Sequence, residues 1–219
     1  MKGISFSGLS LLYSRTDEEA MCRVKSHDDH GEFDRLVARW EQPIRRLCVR
    51  MTGDVHRGED LKQETFVRLF ENRRDYLPTG KFSTFLWRIA LNLCYDELRR
   101  QNRRREILSS GEHGDIRDMA VDAPTPDARA ATSEEGEMVR KALLRLPEMY
   151  RAVIVLRHYE DMKRARIAEV LEIPEGTVNS RMAEALARLC RILEPRLKPN
   201  LFSLPKPNPA ILPKEPCVL

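Results

Sequence analysis

A single segment, residues 81–105, constrains the fold of this chain more than any other. It reads KFSTFLWRIALNLCYDELRRQNRRR, and its apolar side chains recur at steps of three and four residues. This spacing places them on one stripe of a long α-helix that needs other helices to cover it. The stripe consists of Phe82, Phe85, Leu86, Ile89, Ala90, Leu93 and Cys94. The far end carries five arginines in seven residues, which predicts a phosphate-binding surface, with a solvated helix end as the plain alternative.

The composition favours an all-α protein. Charged residues make up 33% and hydrophobic residues 42% of the 219 positions, and long alternating β-branched runs are missing. The formal net charge is only +4, so nucleic-acid binding would have to come from local clusters of basic residues. No apolar run is long enough to cross a bilayer, so membrane insertion is not expected.

The five cysteines are widely spaced and form no CxxC pair. This usage favours a reducing compartment, the cytoplasm, over a disulfide framework. Cys48, Cys94 and Cys190 fall on or beside apolar stripes and are predicted to be small core residues.

Residues 1–30 show no sustained period and are predicted to form a flexible leader. Met21 is an alternative start within this stretch. The polar cluster His27, Asp28, Asp29 and His30 resembles a set of metal ligands, but no cysteine lies nearby, and no metal is expected there.

Residues 31–105 predict a first domain of three packed helices. The first apolar face runs from Phe33 to Met51, and Pro43 within it predicts two short helices or one bent helix. Gly53 ends this element, and Asp54 is the expected N-cap of the next helix. An acidic and polar side of that next helix carries Asp60, Gln63 and Glu64.

The second half of the chain predicts a linker, a second domain and a tail. Residues 106–134 are rich in Pro, Gly, Ser, Ala and acidic residues, so a flexible linker is expected. Apolar periodicity returns over residues 135–194, which predicts a second helical domain. Residues 195–219 contain many prolines, which predicts an extended, disordered tail.

The second domain contains the segment KRARIAEVLEIPEGTVNSRMAEALARL, which has the form of a helix-turn-helix. Thr177, Asn179, Ser180 and Arg181 would lie at the exposed N-terminal end of its second helix. Hydroxyl, amide and guanidinium groups there can reach base edges and phosphates in a major groove. A generic helical hairpin is the alternative for this segment taken alone.

Three motifs in this order resemble the extracytoplasmic-function class of bacterial sigma factors. GEDLKQETFVRLF is similar to the family's DAEDLxQExFxRxF helix, and FSTFLWRIALNLCYDELRRQNRR to its FxxWLxxIAxNxxxDxxRR helix. The segment LRLPEMYRAVIVLRHYEDMKRARIAEVLEIPEGTVNSRM is similar to the family's helix-turn-helix module. The likeness covers about residues 33–105 and 137–193.

The resemblance implies a protein that brings core RNA polymerase to promoter DNA and promotes melting, with no catalysis, no cofactor and no metal. A family member would work in the cytoplasm, and an anti-sigma protein is a further candidate partner. Polymerase docking is assigned by position to Asp60, Gln63 and Glu64. The single-stranded upstream element is assigned to Lys81, Phe82, Trp87, Asn92, Asp96, Arg99 and Arg100. The distal duplex element is assigned to Thr177, Asn179, Ser180 and Arg181, with Arg164 and Arg166 as phosphate contacts.

The chain departs from the family pattern at several positions. The family's frequent Lys after GTV is Asn179 here, and Glu184 stands where basic residues are common, so weaker duplex binding or a different preferred sequence is expected. The usual Trp of the organising helix falls on Phe85, with Trp87 two residues later. The usual Gly of the helix-turn-helix turn is Glu172, which leaves the turn geometry open.

Two other functions were weighed. A plain helix-turn-helix regulator that never contacts polymerase would have no use for the acidic helix of the first domain. A recombinase-like enzyme would need a nucleophile with convergent partners, and the first domain offers neither these nor a P-loop or a metal-ligand spacing.

Overall fold

The computed structural model describes residues 16–78, 80–109 and 134–201. These ranges are helical and contain no strand, which confirms the all-α prediction. The α-helices are α1 (Asp17–His27), α2 (His30–Thr52), α3 (Val55–Glu71), α4 (Phe82–Ser109), α5 (Glu134–Leu144), α6 (Glu148–Ile154), α7 (Arg164–Leu171) and α8 (Glu175–Leu201). A 3-10 helix (Asn72–Asp75) follows α3, and a π-helical turn (Val155–Tyr159) continues α6. No described helix is long and apolar enough to cross a membrane.

The first domain consists of α1–α4 packed around the apolar stripe of α4. Leu86, Ala90 and Cys94 are fully buried on that stripe, and Phe85 and Ile89 pack against the same core while partly exposed. Burial of this stripe is the main favourable contribution to the domain's stability, because apolar area removed from water is worth about 25 cal/mol per Å².

Helix α2 is continuous through Pro43, so of the two predicted alternatives the chain forms the single helix. Buried side chains on both sides of the proline, Leu36 and Ile44 among them, hold the two halves in one core. Helix α2 ends at Gly53, whose φ of 79° is left-handed, and Asp54 then caps α3 by accepting from Arg57 N at 3.0 Å. Both cap predictions are confirmed.

Helix α1 lies inside the stretch that was predicted to be a flexible leader. Its N-terminus is fixed by a capping box, in which Thr16 and Glu19 each accept a hydrogen bond from the other's backbone N–H. Met21 and Val24 are fully buried against the rest of the domain. The prediction failed for this part because α1 buries only three residues on a short helix, too few for a visible sequence period. Residues 1–15 lie outside the described residues.

The two aspartates of the polar cluster at the end of α1 are hydrogen-bonded to other protein groups and are not arranged around a common metal site. Asp28 accepts from Arg73 Nε at 2.6 Å, and Asp29 accepts from Glu32 N at 3.1 Å as the N-cap of α2. These hydrogen bonds lower the pKa of both carboxyl groups. The described residues hold no group of three or more ligands that could bind a metal ion.

The second domain consists of α5–α8, with α7 and α8 as the helix-turn-helix. Ile167, Val170 and Val178 are buried where the two helices meet. Glu172, at the position of the family's glycine, has φ 54° and ψ 42°, so the turn keeps the left-handed conformation without a glycine. A non-glycine residue there costs about 1–2 kcal/mol.

Two predicted boundaries and one predicted core residue differ from the structure. Helix α4 continues to Ser109, and α8 continues through Pro195 and Pro199 to Leu201, so the helix extends into the predicted tail. A proline removes one amide donor and can bend a helix without ending it. Cys190 is exposed on α8, while Cys48 and Cys94 are buried as predicted. Most of the predicted linker, residues 110–133, and residues 202–219 lie outside the described residues.

The two domains are in direct contact, and the buried residues form one continuous cluster. Arg151 of α6 is 7% exposed. Its guanidinium donates to Met51 O of the first domain and to Leu144 O and Leu146 O of its own domain. This buried cation is therefore hydrogen-bonded on both sides of the contact.

Candidate nucleic-acid interface

The polar face of α4 contains the residues predicted to bind a single strand. Asn92 is exposed at the centre of the helix. Arg99 and Arg100 follow it with side chains 62% and 60% exposed. Asp96 lies 3.6 Å from Arg99, and Glu97 lies 4.0 Å from Arg100. The Arg99–Asp96 pair is exposed and therefore weak, so the Arg99 guanidinium can exchange Asp96 for a phosphate. Glu97 is buried, but the Arg100 guanidinium extends into solvent and can also bind a phosphate.

Phe82 and Trp87 were predicted to contact a base, and the structure contradicts this because both are in the core. Phe82 is 0% and Trp87 is 4% exposed. Trp40 of α2 packs edge-on against both rings at centroid distances of 6.3 and 6.2 Å. Aromatic rings of this size stabilise a core through area burial and edge-to-face contact. The two rings therefore pack in the core beneath the segment before α4, and neither is placed to contact a base.

The segment between the 3-10 helix and α4 is exposed above this aromatic cluster. Leu77 is 67% exposed, and Lys81 is exposed immediately before α4. Lys81 O accepts from Thr84 N at 2.9 Å, so the backbone of Lys81 already belongs to the first turn of the helix. Lys81 thus lies on the surface immediately before α4, the helix whose far end carries the exposed arginines. Thr79 lies outside the described residues.

The N-terminal end of α8 presents the residues predicted to read duplex DNA. Asn179 and Ser180 are exposed, and Thr177 and Arg181 are partly exposed. Val178, between them, is fully buried and fixes the rotation of the helix. Ser180 Oγ donates to Thr177 O at 3.1 Å, and a hydroxyl in this position can still accept a hydrogen bond from a ligand.

The two predicted phosphate contacts of α7 differ in their exposure and in their hydrogen-bond partners. Arg164 is exposed. The Arg166 guanidinium instead donates to Ser83 Oγ and Thr84 Oγ1 of α4 and pairs with Glu169 at 2.8 Å. Arg166 is therefore occupied by the first domain in this arrangement.

A second arginine, which the sequence analysis did not select, joins the same two helices from the other side. Arg88 of α4 donates to Glu169 O at 2.9 Å and pairs with Glu172 at 2.9 Å. Arg88 and Arg166 thus link α4 to the helix-turn-helix in opposite directions. Both arginines lie on the polar side of their helices. The sequence therefore gave no signal that these two helices would pack against each other.

Both predicted DNA surfaces border one cleft of about 210 Å³ between the domains. Asn92 and Arg99 line it from α4, and Arg181 lines it from α8. Tyr95 lies at its wall, and burial raises the pKa of the Tyr95 phenol to about 12, although Arg181 acts in the opposite direction. A cleft of this size admits a few water molecules and excludes a duplex, so duplex DNA cannot enter between Arg181 and α4 in this arrangement.

The acidic face of α3 is a further surface of the first domain. Asp60, Gln63 and Glu64, the predicted polymerase contacts, are all exposed there. Val67 continues the same face at 50% exposure. Spacings of three, four and seven residues place these side chains on one face of the helix. Val67 was not among the predicted contacts, although its spacing of seven residues from Asp60 places it on the same helix face.

An apolar groove of about 530 Å³ runs beside this face, between α2 and α3. Phe33 and Val37 line it from α2, and Gln63, Phe66 and Phe70 line it from α3. An open groove with apolar walls and polar residues at its edge is typical of a protein-docking surface.

The family model for sigma-70 region 2 matches residues 36–104, and the model for sigma-70 region 4 matches residues 136–189. These two matches fall on the first and second domains in that order.

Similar curated proteins carry the same assignment. The ECF RNA polymerase sigma factor SigW of Bacillus subtilis is 33% identical over 172 residues, which are 75% of this chain and 92% of SigW. The ECF RNA polymerase sigma-E factor of Haemophilus influenzae is 30% identical over 186 residues, covering 82% of this chain and 96% of that protein.

Solved structures show the same fold. CnrH, in complex with the cytosolic domain of CnrY, superposes with a TM-score of 0.61 at 24% identity, over 83% of this chain and 99% of CnrH. The sigma factor RpoE of Bartonella quintana, in complex with the anti-sigma factor NepR, gives a TM-score of 0.59 at 20% identity, over 74% and 97% of the two chains.

The chain matches SigW across nearly the whole length of that protein and carries both sigma-70 regions in order. It therefore belongs to the extracytoplasmic-function RNA polymerase sigma factors, which direct core RNA polymerase to promoters.

Proposed function

We propose that this sigma factor divides initiation among three surfaces: α3 docks on core polymerase, α4 holds the unpaired upstream strand, and the start of α8 reads the distal duplex. The observation that carries the proposal is that the three sets of residues lie on three different helices, each with exposed polar side chains. One chain can then hold polymerase and promoter together without the two partners competing for the same residues.

Docking on polymerase is supported by the character of the α3 face. Gln63 lines the apolar groove, and Asp60 and Glu64 lie beside it with side chains 66% and 46% exposed. Apolar contacts in the groove would supply most of the affinity, and the carboxylates would select a basic partner surface and speed the encounter.

Strand capture by α4 is supported by its exposed cations. Arg99, Arg100 and Lys81 would bind the phosphates of the unpaired strand, and Asn92 offers an amide to a base edge. This chain's own residues bind and orient the strand. Melting follows because the captured single strand is removed from the pairing equilibrium, so the proposal includes no catalytic step, no cofactor and no nucleotide hydrolysis by this protein.

Duplex reading by α8 requires a change in the arrangement of the domains. Arg181 faces the cleft that Asn92 and Arg99 also line, and Arg166 is bound to Ser83 and Thr84. We infer that the domains separate when the chain binds polymerase and promoter, which frees both DNA surfaces. The separation breaks the polar contacts of Arg88 and Arg166, which water and phosphates can replace, and it also exposes apolar surface that the two domains share in this arrangement.

The proposed cellular compartment follows from these partners. Core polymerase and promoter DNA lie in the bacterial cytoplasm, so that is where the protein would work. The sigma factor RpoE of Bartonella quintana was crystallised with the anti-sigma factor NepR, and an anti-sigma protein is a proposed regulator here.

Run-off transcription with core polymerase on genomic DNA fragments tests the proposal. Discrete transcripts that depend on the protein are expected. Val67→Asp should weaken polymerase binding by about tenfold or more, because it places a charge in an apolar contact. Val67→Ile keeps the apolar shape and serves as the matched control. DNA binding without any polymerase binding would favour a plain helix-turn-helix regulator.

A further inference from the structure

Helix α1 joins both ends of the exposed segment that precedes α4. The segment leaves the 3-10 helix at Tyr76 and enters α4 at Phe82. Each of these end residues is hydrogen-bonded to a side chain of α1, although α1 lies more than fifty positions earlier in the chain. The family match to region 2 begins at residue 36, after this helix.

The contact at the α4 end replaces a missing N-cap. The Glu18 carboxylate accepts from Phe82 N at 2.8 Å. Phe82 is the first residue of a 28-residue helix, so its amide has no partner within the helix. A carboxylate at a helix N-terminus is also favoured by the helix dipole. Glu18 therefore fixes the point at which the segment turns into α4.

The contact at the other end fixes the backbone of Tyr76. Lys25 Nζ donates to Tyr76 O at 2.7 Å. The 3-10 helix before Tyr76 is also held near α1, because Arg73 within it donates to Asp28, the residue that follows α1. Glu18 and Lys25 are seven residues apart, so both reach the segment from one face of α1.

The side chains at both ends form a closed floor under the segment. The Tyr76 ring is 6.2 Å from the ring of Phe82 and 5.5 Å from that of Phe85. Burial, and then the Glu18 carboxylate, raise the pKa of the Tyr76 phenol to about 12. The phenol thus stays neutral against α1, and Leu77 and Lys81, which lie between the two ends, are exposed to solvent.

We propose that α1 is a positioning element for strand capture: Glu18 fixes the start of α4 at Phe82, and Lys25 fixes the chain at Tyr76, in the positions from which Lys81 and α4 hold the unpaired promoter strand. This inference rests on the proposed function. Groups that are fixed before binding lose less free energy to ordering than groups that are free, so loss of these hydrogen bonds would weaken strand capture. Glu18 and Lys25 are positioning residues, because the strand itself would meet Lys81 and α4.

The test measures open complexes with full-length protein and core polymerase, using permanganate reactivity of thymines on a promoter found by run-off transcription. The double variant Glu18→Ala, Lys25→Met removes both hydrogen bonds. We expect it to form about tenfold fewer open complexes on duplex promoter, the equivalent of 1.4 kcal/mol. On a promoter melted beforehand as a bubble, it should stay within about twofold of the parent, because that template no longer depends on capture of the base.

Two further variants separate positioning from folding. Glu18→Gln keeps an oxygen that can accept from Phe82 N, so it should restore most of the duplex activity lost in Glu18→Ala. Arg23→Ala removes the exposed α1 pair with Asp29 without contacting the segment, and it should match the parent. Polymerase affinity and the thermal midpoint are measured for each variant.

The outcomes distinguish the inference from the function on which it rests. Equal losses on duplex and bubble templates, together with weaker polymerase binding, would mean that α1 serves only folding and would overturn the inference. Normal duplex activity of the double variant would overturn it as well. If the parent itself forms no open complex on any fragment, the proposed function fails first, and the inference fails with it.

Discussion

Arg50 of α2 and Glu160, which follows the π-helical turn, form an ion pair of 2.9 Å between the two domains. The Glu160 side chain is 7% exposed, and the Arg50 guanidinium also lies 4.4 Å above the Tyr159 ring. Burial raises the pKa of Glu160 above its ordinary 4.5, although Arg50 and Arg46 act in the opposite direction. Burial also lowers the pKa of Arg50. The contact therefore carries a desolvation cost in its charged form.

The closed arrangement should tighten as the pH falls. Because the pKa of Glu160 is raised in the closed state, its contribution to closure is fully present below 4.5, its value in solvent, and is lost as the pH rises through the closed-state value. The radius of gyration from small-angle scattering, measured from neutral pH down toward 4.5, should decrease. Glu160→Gln cannot titrate and should show a smaller change. The same pH dependence in both proteins would rule out Glu160 as its source.

Glu172→Gly should stabilise the second domain. Glu172 has a left-handed backbone with φ 54°, and glycine adopts this conformation without the cost that a Cβ imposes. We expect a gain of about 1 kcal/mol in the free energy of unfolding, measured by urea denaturation. The substitution also removes the ion pair with Arg88, so Glu172→Gln, which loses the charge and keeps the strain, is the matched control. Equal stability of the two variants would contradict a strained turn.

The sequence was sufficient to predict what depends on local pattern. The stripe of α4, the caps at Gly53 and Asp54, and the helix-turn-helix all follow from spacing and residue type. The role of Phe82 could not be predicted in this way, because an aromatic residue at a helix start suits a core and a base-stacking surface equally well. Burial under Trp40 and Tyr76 decides between these roles, and burial depends on tertiary packing.

Contacts between distant parts of the chain could not be predicted from the sequence for the same reason. Arg88 and Arg166 look like ordinary solvated cations until α4 and α7 are placed side by side. Val67 gave a signal, a helical spacing from Asp60, but an isolated valine on a polar face is common. Helix α1 was missed because its stability comes from partners such as Phe82 N and Trp40 Nε1, the latter donating to Asp17 at 3.0 Å.

Gly58→Ala and Gly176→Ala should have opposite effects on stability. A Cβ on Gly58 would lie 2.3 Å from Val49 Cγ2 and 2.9 Å from Val49 N, because α2 and α3 approach closely there. Part of this contact is backbone, so a loss of about 1–3 kcal/mol is expected. A Cβ on Gly176 meets nothing within 4 Å, and alanine in α8 should gain up to about 1 kcal/mol. Thermal midpoints measure both, and a tolerated Gly58→Ala would contradict the close approach.

Arg151→Met should destabilise the chain strongly. The substitution keeps an unbranched apolar stem but leaves Met51 O, Leu144 O and Leu146 O without this donor. Each buried carbonyl left unpaired costs about 1–3 kcal/mol, so we expect a loss of about 3 kcal/mol or more in urea denaturation. Arg145→Met, at an exposed position of the same domain, is the control and should change stability by less than about 0.5 kcal/mol.

Replacing Arg99 and Arg100 together by alanine should weaken open-complex formation and leave polymerase binding largely intact. Both side chains are more than half exposed on α4, and the proposed polymerase face lies on α3, so the double variant loses phosphate contacts without altering the docking surface. Two lost phosphate contacts should lower the salt dependence of strand binding by about 1.4 units of log K against log salt.

Permanganate footprints on duplex promoter and titrations of a single-stranded oligonucleotide at several salt concentrations measure the two effects. Arg103→Ala with Arg104→Ala, also exposed but nearer the end of α4, is the matched control for total charge. Normal melting by the Arg99, Arg100 variant would show that another part of the chain holds the strand.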